Sequence, residues 1–103
     1  DAFAAKFSSD GMSLLYATFL GGSRYDWGRD IAVDQAGAAY ITGPTQSSDF
    51  PAQSGPGYNT RFNGKQDAFV VKLSADGVFL RYATFLGGNK SDWGHSIALD
   101  DAG

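Results

Sequence analysis

Two Asp-Trp-Gly triplets, Asp26-Trp27-Gly28 and Asp92-Trp93-Gly94, are the residues of this chain best equipped to hold a ligand. An indole offers a flat apolar face on which a sugar ring stacks, and the neighbouring carboxylate accepts hydroxyl protons. The same triplet suits a structural part. A Trp buries up to ~250 Å², enough to wedge a seam between two sheets while the Asp accepts turn N–H groups. A second polar group, Thr45, Gln46, Ser47, Ser48 and Asp49, lies in a segment with the composition of a loop. Loops on rigid scaffolds gather binding groups, so these residues are candidates for contacting a glycan or peptide; the alternative is a plain spacer. Asp34 and Asp100 each close a short apolar run. Carboxylates repeated in this way could ring a channel mouth and hold a cation. Calcium, however, wants six to eight oxygens, and no Asp-x-Asp-x-Asp-Gly loop is present. Asp-x-Ala-Gly also builds a turn by itself.

Other reactive types are sparse. His95 is the one histidine, and there is no Glu and no Cys. A general base needs a nucleophile or metal beside it, and no Ser/His/Asp order suggests a triad. The Gly21-Gly22 and Gly87-Gly88 pairs lack the Lys-Ser/Thr of a phosphate loop. No catalytic residue, metal ligand or cofactor is assigned, and the chain reads as non-enzymatic.

The elements that must position these residues are written twice. Asp1–Gly37 and Asp67–Gly103 align at an offset of 66 residues with 23 of 37 positions identical. Self-similarity at a fixed period marks stacked supersecondary units. Within a unit, Ala68–Leu73 and Leu80–Leu86 read as strands joined by an Asp-Gly hairpin turn, as do Ala2–Phe7 and Leu14–Leu20 in the first copy. Lys6 and Lys72 repeat within the first of these strands, where a stem lies over apolar neighbours and the ammonium stays wet. Ile31–Asp34 and Ala38–Thr42 read as two more strands around Gln35-Ala36-Gly37, with Ile97–Asp100 as the next copy of the first. Gly43–Gln66 reads as a long loop anchored by Phe50-Pro51 and by Tyr58 or Phe62. No stretch of ten residues shows a helical period.

The expected fold is therefore all-β: four-stranded antiparallel meanders of the β-propeller blade type, in a piece of about one and a half blades. A β-sandwich with an internal duplication is the runner-up. The expected division is 1–22 as the last two strands of a first blade, 27–88 as a complete blade with its loop at 43–66, and 92–103 as the opening strand of the next. The expectation is thus a slice of a larger propeller, processed or cut, whose exposed blade faces would not leave it a well-behaved monomer. Net charge is −3 without a basic stripe, which points away from nucleic acid. No apolar run approaches the ~20 residues of a membrane span.

IAVD-x-AG-x-AY-I-TG, a DFP-containing loop, DAF-VV-K-L-S-x-DG and L-x-YATFLGG follow one another in an order that resembles the bacterial seven-bladed β-propeller repeat called SBBP. More distantly the pattern is similar to the NHL repeat. The resemblance implies a secreted or cell-surface bacterial propeller that scaffolds or binds protein or glycan. Its partners would be the remaining blades, in the same chain or by self-association, with a protein or glycan ligand. The alternatives are a lectin-like propeller using the repeated Trp, or part of a propeller lyase or hydrolase whose catalytic residues lie on other blades.

Overall fold

A computed structural model describes residues 1–50, 62, 65–78, 80–86 and 97–98. Among the described residues there are six strands: β1 (Ala2–Phe7), β2 (Leu14–Leu20), β3 (Asp30–Val33), β4 (Ala39–Thr45), β5 (Asp67–Leu73) and β6 (Leu80–Leu86). They form a two-stranded sheet, β1-β2, and a four-stranded sheet in the order β3-β4-β5-β6. Every pairing is antiparallel, and no helix occurs among the described residues. The chain is all-β, and the larger sheet is the four-stranded meander of a propeller blade.

The two Ser-x-Asp-Gly turns are built alike. Gly11 and Gly77 both take φ 76°, where a side chain is strained and glycine is not. Their N–H groups donate to Ser8 O and Ser74 O. Asp10 accepts the Ser8 hydroxyl at 2.6 Å and Met12 N–H at 3.0 Å; Asp76 accepts the Ser74 hydroxyl at 2.7 Å and Val78 N–H at 3.0 Å. These bonds, the serine hydroxyl foremost, hold both carboxyls below the ordinary carboxylate range. The registers match as well: Ala2 faces Leu20 as Ala68 faces Leu86, and both hairpins shift register after the lysine.

The core sits between the sheets. Phe69, Val71, Leu73, Ala83 and Phe85 of β5-β6, with Ile41 of β4, meet Ala2, Ala4 and Leu20 of β1-β2. Alanines on the smaller sheet let the backbones approach, and the phenylalanines opposite fill the gap. The Tyr16 ring lies so close over Gly77 that a Cβ there would overlap it. Phe50 enters from the loop after β4, its ring 4.5 Å from Phe69 and 6.1 Å from Phe85. Phe62 adds an edge contact 5.6 Å from Phe85. Each such large side chain contributes roughly 1.5–3 kcal/mol by leaving water.

Both ends of β3 and the starts of β4 and β5 lie one residue from the sequence expectation, and the end of β4 differs by more. β4 runs three residues past Thr42, through Gly43, Pro44 and Thr45, which pair with Phe69, Ala68 and Asp67. A Gly-Pro pair normally ends a strand. Here Pro44 O accepts Trp27 N–H at 3.0 Å, so its missing N–H falls on the same side. That side holds the irregular 26–28 crossing and not β5, and the ladder to β5 continues. Gly43 has a related reason: a Cβ there would overlap the Trp27 carbonyl. Pro51 and Tyr58 lie outside the described residues.

Candidate functional site

Two of the polar residues singled out by the sequence, Thr45 and Ser47, converge on Asp26. Its side chain is buried and accepts three hydrogen bonds. Thr45 Oγ1 donates to Oδ1 at 2.5 Å. Ser47 Oγ and Gly22 N–H donate to Oδ2 at 3.2 and 3.1 Å. The donors are themselves engaged: Thr45 Oγ1 accepts Ser47 N–H at 3.0 Å, and Ser47 Oγ accepts Arg24 N–H at 2.9 Å. Asp49 extends the set, accepting Ser23 N–H at 2.8 Å and the Ser23 hydroxyl at 3.2 Å. The Ser23 N–H is the main cause that holds the Asp49 carboxyl low. The network stitches residues 22–26, after β2, to residues 45–49, after β4. Its closeness explains Gly21-Gly22: a Cβ at Gly21 would meet the Asp26 carboxylate, and one at Gly22 the Asp49 carboxylate.

On this frame stands an aromatic pair. Tyr25 and Trp27 stack with centroids 5.8 Å apart and planes 15° from parallel. Tyr25 is 67% and Trp27 41% exposed. Tyr25 O accepts Gln46 N–H at 2.8 Å, and with Trp27 N–H on Pro44 O the backbone is held on both sides of Asp26. Ser48 is exposed. Gln46 is half-buried and donates its amide to Gln66 Oε1 at 3.2 Å. Gly28 adjoins the cleft between β1 and β3, lined also by Phe3, Ala5 and Ile31.

Asp34 sits apart, in the β3-β4 turn. Its Oδ1 accepts Ala36 and Ala38 N–H at 3.0 and 2.9 Å, and its Oδ2 the Tyr40 hydroxyl at 3.1 Å. Desolvation pushes its carboxyl up. The bonds from Ala38, Tyr40 and Ala36, with the Lys72 charge, outweigh that and hold it low. Lys72 places its Nζ 5.1 Å from the Tyr40 ring centroid, a cation–π contact. Lys6 is exposed. Asp30 bonds across units, accepting Ile97 N–H at 2.9 Å through Oδ2. Among the described residues no three His, Cys, Asp or Glu side chains group to hold a metal. Asp92, Trp93, Gly94, His95 and Asp100 lie outside the described residues.

Residues 15–51 match the family profile SBBP, described as a beta-propeller repeat. That stretch of the chain is similar to an SBBP beta-propeller repeat. No curated protein matches the chain. The matched stretch contains every residue of the Asp26 network, from Gly22 to Asp49, so the bonds that join its two loops all lie within it. The sequence alone puts Asp26 in one candidate group and Thr45 to Asp49 in another, and does not reveal that the two groups meet. It passed over Tyr25, whose counterpart in the second copy is Ser91. Repetition cannot flag a residue that occurs once, although an aromatic two residues before Trp27 on an extended segment shares its face.

Proposed function

We propose that this chain is a non-enzymatic structural and interaction module of a secreted or cell-surface bacterial β-propeller that scaffolds or binds protein or glycan. The stacked, exposed Tyr25–Trp27 pair carries this reading. Aromatic area held on a rigid frame binds at low entropic cost, because little is ordered on contact. The polar candidates Asp26, Thr45 and Ser47 bond to one another and Asp49 bonds to Ser23, so they support the pair as a frame. A glycan is the ligand favoured by the near-parallel rings, whose flat faces suit a sugar. Glycan-array and calorimetric binding by the 103-residue chain, lost in Trp27→Ala with the far-UV dichroism unchanged, is the expected result. Undiminished binding by Trp27→Ala would remove the pair from the site, and binding to a protein bait but no glycan would replace the ligand class.

A further inference from the structure

The two copies part company just before the Asp-Trp-Gly triplet. Gly21-Gly22-Ser23-Arg24-Tyr25-Asp26-Trp27-Gly28 aligns with Gly87-Gly88-Asn89-Lys90-Ser91-Asp92-Trp93-Gly94. The flanks are identical, yet Ser23, Arg24 and Tyr25 are all replaced, the longest unbroken run of differences between the copies. The structure gives a physical reason why this stretch can change. Its frame grips main-chain atoms. Gly22 N–H donates to Asp26 and Ser23 N–H to Asp49. Arg24 N–H donates to the hydroxyl of the buried Ser47, and Tyr25 O accepts Gln46 N–H. Every residue from Gly22 to Tyr25 is thus held through a backbone group, which a change of side chain leaves in place. The three variable residues are themselves exposed. The Ser23 hydroxyl adds one longer bond to Asp49, and Tyr25 stacks on Trp27. Among the described residues the Arg24 side chain adds no bond to the frame.

We propose that Ser23, Arg24 and Tyr25 are the specificity-determining residues of the ligand site, a recognition tripeptide set on a fixed frame. A fixed backbone with exposed side chains lets a scaffold change its ligand without changing its fold. The ligand is a glycan, touched on a ring face by Tyr25 and along its oxygen edge by Arg24, whose guanidinium is a planar fork of N–H donors. An open depression of about 540 Å³, lined by Gly22, Ser23, Arg24, Tyr25 and Asp1, lies over these residues and has the size of a small-ligand site. Trp27 has a different part. It recurs in the second copy, it is less exposed than Tyr25, and its N–H is tied to Pro44 O. It is the constant platform against which the variable ring rests. Because Ser91 stands at the position of Tyr25, the second Asp-Trp-Gly lacks this specificity, and the chain takes one such ligand. The inference rests on the glycan-binding reading and names the residues that select the glycan.

An array of neutral and uronate-containing oligosaccharides, probed with a concentration series of the 103-residue chain, reads selection and affinity together. The triple variant Ser23→Asn, Arg24→Lys, Tyr25→Ser sets the second copy's residues on the first copy's frame. It is expected to keep the wild-type urea midpoint and far-UV dichroism. Its apparent affinity for the glycans bound by wild type is expected to fall at least about tenfold. Tyr25→Ser alone should give most of that loss, and Arg24→Lys alone should reorder the preference among glycans. Calorimetry with the best-bound oligosaccharide should count one site per chain. A triple variant that binds the same glycans with the same affinity would overturn the proposal. So would two sites per chain, or a urea midpoint lowered as far as in Asp26→Ala, which means that these side chains hold the frame. Binding abolished by Trp27→Ala but kept in the triple variant removes the tripeptide and leaves the aromatic site. A wild-type chain that binds no glycan removes both.

Discussion

Removing the Asp26 carboxylate should cost about 2–4 kcal/mol. Three donors point at it, from Thr45, Ser47 and Gly22, at 2.5, 3.2 and 3.1 Å. A hydrogen bond to a charged group contributes roughly 1.5–3 kcal/mol, and a buried donor left alone costs about 1–3 kcal/mol. Against that, Asp26→Ala releases a buried charge whose desolvation costs several kcal/mol, and the two hydroxyls can rotate. The balance is a large part of the ~5–15 kcal/mol that holds a domain folded. Asp26→Asn is the finer probe. It keeps an acceptor for Thr45 but sets an amide donor against Gly22 N–H, so it should fall between wild type and Ala. Urea denaturation reads both, as a lower midpoint at unchanged slope. Combining Asp26→Ala with Ser47→Ala should give a coupling above about 0.5 kcal/mol. A loss under about 0.5 kcal/mol for Asp26→Ala, the size of an ordinary surface substitution, would refute the claim that this carboxylate fastens the two loops.

Phe50→Ala should destabilise by about 3–5 kcal/mol, because the ring is fully buried between Phe69 and Phe85; a urea midpoint near that of wild type would show the loop does not close the core. Gly11→Ala and Gly77→Ala both place a side chain at φ 76° and should each lose roughly 1–2 kcal/mol. Gly77→Ala should lose more, since only there does a Cβ meet the Tyr16 ring, and equal losses would separate the sheets. The Asp10, Asp34, Asp49 and Asp76 carboxyls are all held below their ordinary range, so the folded chain binds fewer protons than the unfolded one in acid. Their contribution is present above the unfolded value of about 3.9 and is lost as pH falls through the folded values. Urea midpoints should therefore decline on acidification below about pH 4, and a midpoint that rises there would contradict the sign.

The strands were legible where local chemistry repeats. Ser-x-Asp-Gly specifies its turn through glycine's free φ and the aspartate's two acceptors, so β1-β2 and β5-β6 could be placed from the residues alone. The end of β4 could not. Gly43-Pro44 has the composition of a loop, and only the tertiary approach of Trp27 makes both residues fit a strand. The site was half legible for a similar reason. Asp26 and Trp27 announce themselves by recurring, but the link from Asp26 to Thr45 and Ser47 spans 19 and 21 residues and leaves no periodic mark. Phe50 was recognisable as an anchor because a large apolar residue in a polar loop must be buried somewhere. Its destination between Phe69 and Phe85 depends on how the sheets stack.

That stacking is the centre of the account: the β1-β2 hairpin lies on the four-stranded sheet with the Tyr16 ring over Gly77. Nuclear Overhauser contacts between the Tyr16 ring protons and Gly77 Hα test it most directly. The account predicts strong contacts there, together with contacts from the Ala2 and Ala4 methyls to the buried face of β5-β6. Intact hairpin contacts within each sheet, with none between Tyr16 and Gly77, would contradict it.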